Sequence, residues 1–332
     1  MDAVSHAADL LRQGKLIGLP TETVYGLAAD ASNPEAIRRI FTVKGRPPSH
    51  PLIVHLADPT HASAWAALVP ESALQLMERF WPGPLTLVLP ARQDVPAEIT
   101  GGQDSIALRM PNHSVALSVL RQFGGALVAP SANRFGHVSP TCAQHVRDSL
   151  GSAVDYVLDG GSCRYGLEST IVSLLQDRPQ ILRPGALSLR ELESVLGAGQ
   201  ITLPAGHSTP RVPGSHLSHY APRTPVYVIP ADQLATYAHT ALNARRQVGV
   251  LKRCDTVLER SPSSALLQFC MPATPQLYGR ELYTRLREID RLGLDLLLVE
   301  SVPVHPDWLA VQDRLERASG KLDTLTAELL AA

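Results

Sequence analysis

Three features of the sequence predict an α/β protein built from a larger mixed-sheet part and a smaller parallel part. Short β-rich runs alternate irregularly with helical stretches up to residue 203, a proline-dense seam covers 204–225, and a regular strand-helix alternation fills 226–332. At about 150 residues per domain, the 332-residue chain has room for both parts. In the first part, runs rich in Leu, Ile and Val at 16–19, 52–56, 85–89, 105–109, 126–129 and 170–174 read as strands. The runs at 85 and 105 follow one another closely, which favours a mixed α/β or α+β sheet over a strict βαβ series. Asn33-Pro34-Glu35 starts a helix: Asn caps, Pro fits the first turn and Glu35 meets the positive dipole end, while Ile37, Ile40 and Phe41 share one face. Ser188-Leu189-Arg190-Glu191 reads as a capping box for a second helix.

Between the parts, Pro204, Gly206, Pro210, Pro213, Gly214, Pro222 and Pro225 remove ladder donors and fix φ, so the segment reads as an extended connection. Beyond it, strands at 226–229, 248–251 and 294–299 and helices near 232–245, 280–292 and from 307 onward predict a small parallel α/β domain.

Composition narrows the function. With 30 Lys and Arg against 31 Asp and Glu the net charge is -1, so no wholesale attraction to nucleic acid or anionic membrane follows. Cys142, Cys163, Cys254 and Cys270 show no C-x-x-C pairing, which argues against a zinc cage or a disulfide framework and fits a reducing cytoplasm. Asp2, Asp9 and Arg12 precede any apolar run, and no segment approaches the roughly 18 apolar residues of a membrane span, so a soluble, non-exported protein is expected. P-loop, dinucleotide-fingerprint, zinc-protease and nucleophile-elbow motifs are absent.

Polar clusters sit at the ends of the apolar runs instead. Pro20 to Leu27 (PTETVYGL) offers Thr23 and its neighbours, either as ligand groups or as a hydroxyl-rich turn that satisfies its own backbone. Lys44-Gly45-Arg46-Pro47 joins a scarce lysine to an arginine on a stiff loop, suited to a phosphate chain or to a solvated surface pair. His50 and His55 bracket a buried-looking strand, and either a ligand or the protein interior can hold them. Alternation puts Ser105, Ala107 and Arg109 on one strand face. An arginine closing such a strand needs an anion, from a protein carboxylate or from a substrate. Ala129-Pro130-Ser131-Ala132-Asn133 with Ser139-Pro140-Thr141 can cradle phosphate or cap a helix; Glu168-Ser169-Thr170 and Arg183-Pro184-Gly185 repeat the pattern. No Cys or Ser has a neighbouring base that marks it as a nucleophile, which favours a site that orients two anionic substrates.

PTETVYGL, KGRP with HPLIVHL, FWPGPLTLVL, SIALRMP, APSAN with SPT, ESTIV and RPG, in this order over about residues 10–225, resemble the Sua5/YciO/YrdC family; HYAP (219–222) and the following α/β segment resemble its two-domain Sua5 type. The resemblance implies a YrdC-like twisted mixed sheet over 1–203, a linker at 204–225 and a small Rossmann-like domain over 226–332. It implies a nucleotidyltransferase that makes L-threonylcarbamoyladenylate from L-threonine, bicarbonate and ATP for the t6A modification of tRNA, with Mg2+ bridging phosphates. Thr23, His55, Arg109 and Ser169 would hold threonine. Lys44, Arg46, Ser131 and Asn133 would be catalytic, and Arg46, His50, Ser105, Ala129, Ser131, Ser139, Arg183 and Tyr220 would contact ATP. The product would pass to a tRNA threonylcarbamoyl-transferase complex, with room for weak tRNA contact. The linker would close over the site as a lid. An RNA-binding or ribosome-maturation factor of the same fold is the alternative.

Overall fold

The computed structural model describes residues 2–203, 210–214, 220–257 and 265–330. The chain forms two compact units, Met1–Phe135 with Ser139–Ser215, and Gly136–Val138 with His216–Ala332. Of the expected linker, 204–209 and 215–219, including His219, lie outside the described residues.

The first unit contains, in order, α1 (Ala3–Arg12), β1 (Ile17–Leu19), β2 (Gly26–Asp30), α2 (Pro34–Lys44), β3 (Ile53–His55), α3 (Glu71–Phe80), β4 (Leu85–Pro90), α4 (Ala97–Thr100), β5 (Ser105–Arg109), α5 (Ser114–Phe123), β6 (Leu127–Val128), α6 (Ala143–Leu150), β7 (Tyr156–Val157), β8 (Thr170–Ser173), β9 (Gln180–Arg183) and α7 (Leu189–Leu196). Its strands form one sheet in the order β7-β1-β2-β6-β3-β5-β4-β8-β9. Parallel pairs (β1 with β7, β3 with β5, β4 with β8) alternate with antiparallel ones, so the expected mixed α/β sheet is borne out. The central strands are buried along their whole length, which is why they read as continuous apolar runs rather than as alternations. Leu11, Ile37, Ile40, Leu76, Leu87, Leu120 and Val146 from the flanking helices and strands share one core.

Helix α2 begins as its sequence dictates. Asn33 Oδ1 accepts from the backbone N–H groups of Glu35 and Ala36, at 3.0 and 3.1 Å. It ends in a Schellman motif: Gly45 takes φ +64°, its N–H bonds to Thr42 O, and the Arg46 N–H bonds to Phe41 O. This fixes Lys44 at the helix terminus and turns Arg46 back beside it. The capping box at Ser188 and Glu191 forms as expected.

Strands β2 and β7 were not legible in the sequence, whereas β9 was marked only by Arg183 at the end of a short apolar run. Gly26-Leu27-Ala28-Ala29-Asp30 lacks β-branched and aromatic residues, and β7 is two residues long. The octapeptide expected as a loop therefore divides: Pro20 to Tyr25 is the connection, and Gly26 opens β2. Gly26 is required there, since a Cβ would stand 2.9 Å from the Cβ of Ala129.

The second unit runs β10 (Val226–Ile229), α8 (Leu234–Asn243), β11 (Val248–Arg253), β12 (Leu266–Met271), α9 (Pro275–Asp290), β13 (Leu296–Glu300), α10 (Leu309–Ala318) and α11 (Leu322–Leu330). Its sheet, β10-β13-β11-β12 among the described residues, is parallel throughout, as the alternation predicts. Strand β12, whose apolar run is interrupted at Gln268, was missed, and α9 starts earlier than expected, at Pro275.

Candidate active site

Three polar clusters lie along the large sheet and its adjoining loops, from β6 to the β9 edge. In the first, β3 and β5 run parallel with His55 opposite Arg109, so both side chains leave the sheet at the same level. Arg109 Nη2 donates to Glu22 Oε1 at 2.7 Å and to Thr23 Oγ1 at 2.8 Å. Strands β2, β6 and β3 lie between β1 and β5. Glu22 and Thr23 lie about three residues, or roughly 10 Å of chain, from either end of the connection, and the long Arg109 side chain bridges the rest of the gap. The Pro20 to Tyr25 connection is held in that position by Tyr25, whose hydroxyl donates to Gly161 O and accepts from Gly160 N, and by Tyr165 N, which donates to Glu22 O. Thr21 satisfies the loop itself through Val24 O, whereas the Thr23 hydroxyl serves Arg109.

In the second cluster, Lys44 Nζ donates to the backbone carbonyls of Ser131 and Asn133. The loop that offers them is pinned by the bonds from Leu27 N to Pro130 O and from Ala132 N to Tyr25 O. Arg46 donates to Pro51 O at 2.8 Å, and His50 meets the Phe135 ring edge to face. Ser139 donates to Glu168 Oε1 at 2.6 Å.

The third cluster joins β4, β8 and β9. Thr86 and Ser169 share a 2.7 Å hydroxyl bond, and Arg183 donates to Ser169 O, Ser169 Oγ and Pro213 O.

Lys44, Arg46, Arg109 and Arg183 are all buried. Burial of a charge is unfavourable unless an anion or several dipoles compensate it. Burial, reinforced by the neighbouring Arg46, pushes the Lys44 ammonium well below the ordinary lysine range. Nζ donates to two carbonyls, which leaves its remaining capacity for an anion, and a nearby negative charge would raise its proton affinity again. Burial, with Arg109 adding to it, lowers His55 to about 3, so the ring is neutral. Its Nδ1 lies 3.2 Å from Ile53 O and therefore carries the proton, leaving Nε2 as an acceptor.

The expected threonine residues Thr23, His55 and Arg109 thus stand together, and Ser169 lies on the neighbouring β4–β8 pair, bonded to Thr86 opposite Arg109 in register. Lys44 at the end of α2 is bonded to the carbonyls of Ser131 and Asn133 in the loop after β6, and Arg46, two residues on from Lys44, bonds instead to Pro51 O. Ala129 follows β6, with its N–H bonded to Ile53 O. Ser105 opens β5, four residues and about 13 Å along the strand from Arg109. Tyr220 belongs to the second unit, where it is buried, stacked on Tyr283 and covered by the Arg314 guanidinium 5.0 Å from its ring centre. Sequence reasoning assigned no role to Glu22, Thr86 or Glu168. Glu22 was the legible one of these, as a carboxylate in a hydroxyl-rich loop when Arg109 was known to need an anion.

Fold and site together define an α/β protein of the two-unit YrdC-like class, with buried cations collected at a twisted mixed sheet. The chain belongs to the Sua5/YciO/YrdC family: residues 9–185 match that family, described as telomere recombination, and 187–320 match the threonylcarbamoyl-AMP synthase C-terminal domain. The threonylcarbamoyl-AMP synthase of Pyrococcus abyssi is 41% identical over 320 residues, covering 95% of this chain and 93% of the relative. That of Bacillus subtilis is 37% identical over 325 residues, covering 96% and 93%. A crystal structure of P. abyssi Sua5 complexed with L-threonine is similar with a TM-score of 0.88 and 39% identity, covering 96% of this chain and 94% of that one.

Proposed function

We propose that this chain is a threonylcarbamoyl-AMP synthase, an enzyme that joins L-threonine, bicarbonate and ATP into L-threonylcarbamoyladenylate and pyrophosphate, the first step of tRNA t6A37 modification. The observation that carries the reading is the likeness, along nearly the whole of both chains, to enzymes of that name and to a threonine-bound structure. Under this reading 1–203 is the catalytic part, 204–225 the linker and 226–332 the Sua5-type domain.

The chemistry asks little covalent work of the protein. Threonine's free amine displaces water from bicarbonate to give a carbamate, and a carbamate oxygen then displaces pyrophosphate from the α-phosphorus in line. Arg109 takes the amino-acid carboxylate, and the neutral His55 accepts a hydrogen bond from the ligand at Nε2. Lys44 and Arg46, at the end of α2, balance charge on the triphosphate, with Arg183, Ser131, Asn133 and Ser139 lining its path. Burial of these groups keeps water from a labile mixed anhydride.

Mg2+ enters as part of the MgATP substrate. Under this reading the phosphates hold the ion, and the carboxylates nearest the site are engaged with protein groups, Glu22 with Arg109 and Glu168 with Ser139. The free cysteines suit a reducing cytoplasm, and no described helix is long and apolar enough to cross a membrane. The adenylate would pass to a transferase that modifies tRNA. Leaving out threonine, bicarbonate or ATP in turn tests the reading: pyrophosphate release and the adenylate mass should require all three, and release without threonine would overturn it.

A further inference from the structure

The Glu22–Arg109 pair is built differently from a purely structural ion pair. The two side chains are 3% and 5% exposed, yet they meet through one bond, Arg109 Nη2 to Glu22 Oε1 at 2.7 Å, rather than the two parallel bonds that an arginine fork and a carboxylate can form. The second Nη2 bond goes to the Thr23 hydroxyl. Glu22 Oε2 and Arg109 Nε are left buried and without partners among the described residues. A dry carboxylate oxygen asks for a donor, and a guanidinium with capacity in hand asks for an acceptor. An α-amino acid carries both, a positive donor and a negative acceptor on one carbon.

We propose that Glu22 reads the ammonium group of the amino-acid substrate, so that the buried Glu22–Arg109 pair selects a zwitterion over a simple carboxylate. This rests on the reading of the site as one that handles threonine, and adds to it a group that recognises the amine. A carboxylate ligand without an amine meets Arg109 already neutralised and Glu22 repelling it. A zwitterion places its negative end at Arg109 and its positive end at Glu22, and each charge is compensated away from water. Oε1 serves Arg109 while Oε2, on the other side of the same planar carboxylate, is left to receive the ammonium.

The test is calorimetric binding of L-threonine and of 3-hydroxybutanoate, which keeps the carboxylate and hydroxyl and lacks the amine, to the full chain and its E22Q variant. The wild-type protein should prefer threonine by on the order of 10²-fold. In E22Q the preference should collapse through loss of threonine affinity, with 3-hydroxybutanoate bound no more weakly than before and more tightly as the repulsion is removed. Equal weakening of both ligands would mean that Glu22 acts only by holding Arg109, and an unchanged preference would mean that it does not face the amine; either result overturns the proposal.

Should E22Q not fold, the wild-type protein still decides. As the pH rises above the pKa of the ligand's amine, the preference for threonine should fall toward one, and a constant preference overturns the proposal. The titratable and charged groups interacting with the pair, His55 and Cys163, act on both ligands and cancel in the ratio. Pyrophosphate release separates this inference from the reading beneath it. If release needs threonine while E22Q keeps its preference, Glu22 is wrong and the enzyme stands. If the preference collapses but no combination of substrates releases pyrophosphate, the synthase reading is wrong and the amine site stands.

Discussion

Lys44 illustrates how a side chain becomes reactive toward anions without a neighbouring base. It is buried at a helix terminus, held by two backbone carbonyls, and depressed in pKa by desolvation and by Arg46. A triphosphate beside it restores its proton affinity. Binding of MgATP is therefore expected to take up a proton at pH values between the free and bound pKa of Lys44, and apparent affinity should fall as pH rises through that window. Calorimetry in buffers of different ionisation enthalpy reads this uptake, and Lys44→Met should abolish it. Replacing Lys44 or Arg109 by Ala should lower turnover by ~10²-fold or more, as for the loss of a donor that stabilises developing or departing charge. Pyrophosphate release is the assay, and near-normal rates would remove these residues from the mechanism.

At the scale of elements, position comes from backbone chemistry that lies outside the polar clusters. The start of β2 approaches Ala129 so closely that Gly26→Ala must displace either strand β2 or the loop 130–133 that Lys44 binds. This variant should retain most of the secondary structure by circular dichroism and lose turnover, because a shift of about 1 Å in a positioned group can cost on the order of 10²-fold. Asn33→Ala removes the acceptor for two N–H groups at the opposite end of α2. It should cost about 1 kcal/mol of stability in denaturant unfolding while leaving kcat nearly unchanged, since Lys44 is fixed by the Gly45 terminus. Both α2 boundaries were partly readable: Asn-Pro-Glu announces the start, and Lys-Gly-Arg contains the glycine that the terminating turn requires.

For the whole molecule, His55 ties stability to acid. Its folded pKa of about 3 lies below the ordinary 6.5, so the unfolded chain binds this proton first. The contribution is complete above 6.5 and is lost as pH falls toward 3, by up to about 1.4 kcal/mol per pH unit for one such group. Urea unfolding at several pH values should show this slope, and His55→Gln should flatten it by one proton. The mixed α/β class, the parallel second unit, the two capped helices and most of the central strands were legible in the sequence. Their signals are local: buried apolar runs, capping chemistry and turn residues act within a few positions. The two-residue strand β7 carries almost no local signal, β9 only an Ile181–Leu182 pair before Arg183, and β12 a run interrupted at Gln268. The same locality explains the site. Thr23, Lys44, His55, Arg109, Ser131 and Ser169 could be chosen one by one as polar groups at strand or helix ends. That Arg109 already bonds to Glu22 depended on the β1–β2 loop and the Arg109 side chain meeting across the two strands β6 and β3, and that Lys44 is pinned to 131 and 133 depended on two segments nearly 90 residues apart. Sequence determined which groups were present and which elements carried them; tertiary structure decided which charges lost their water together, because desolvation and pairing depend on distance in space, which no periodicity along a chain encodes.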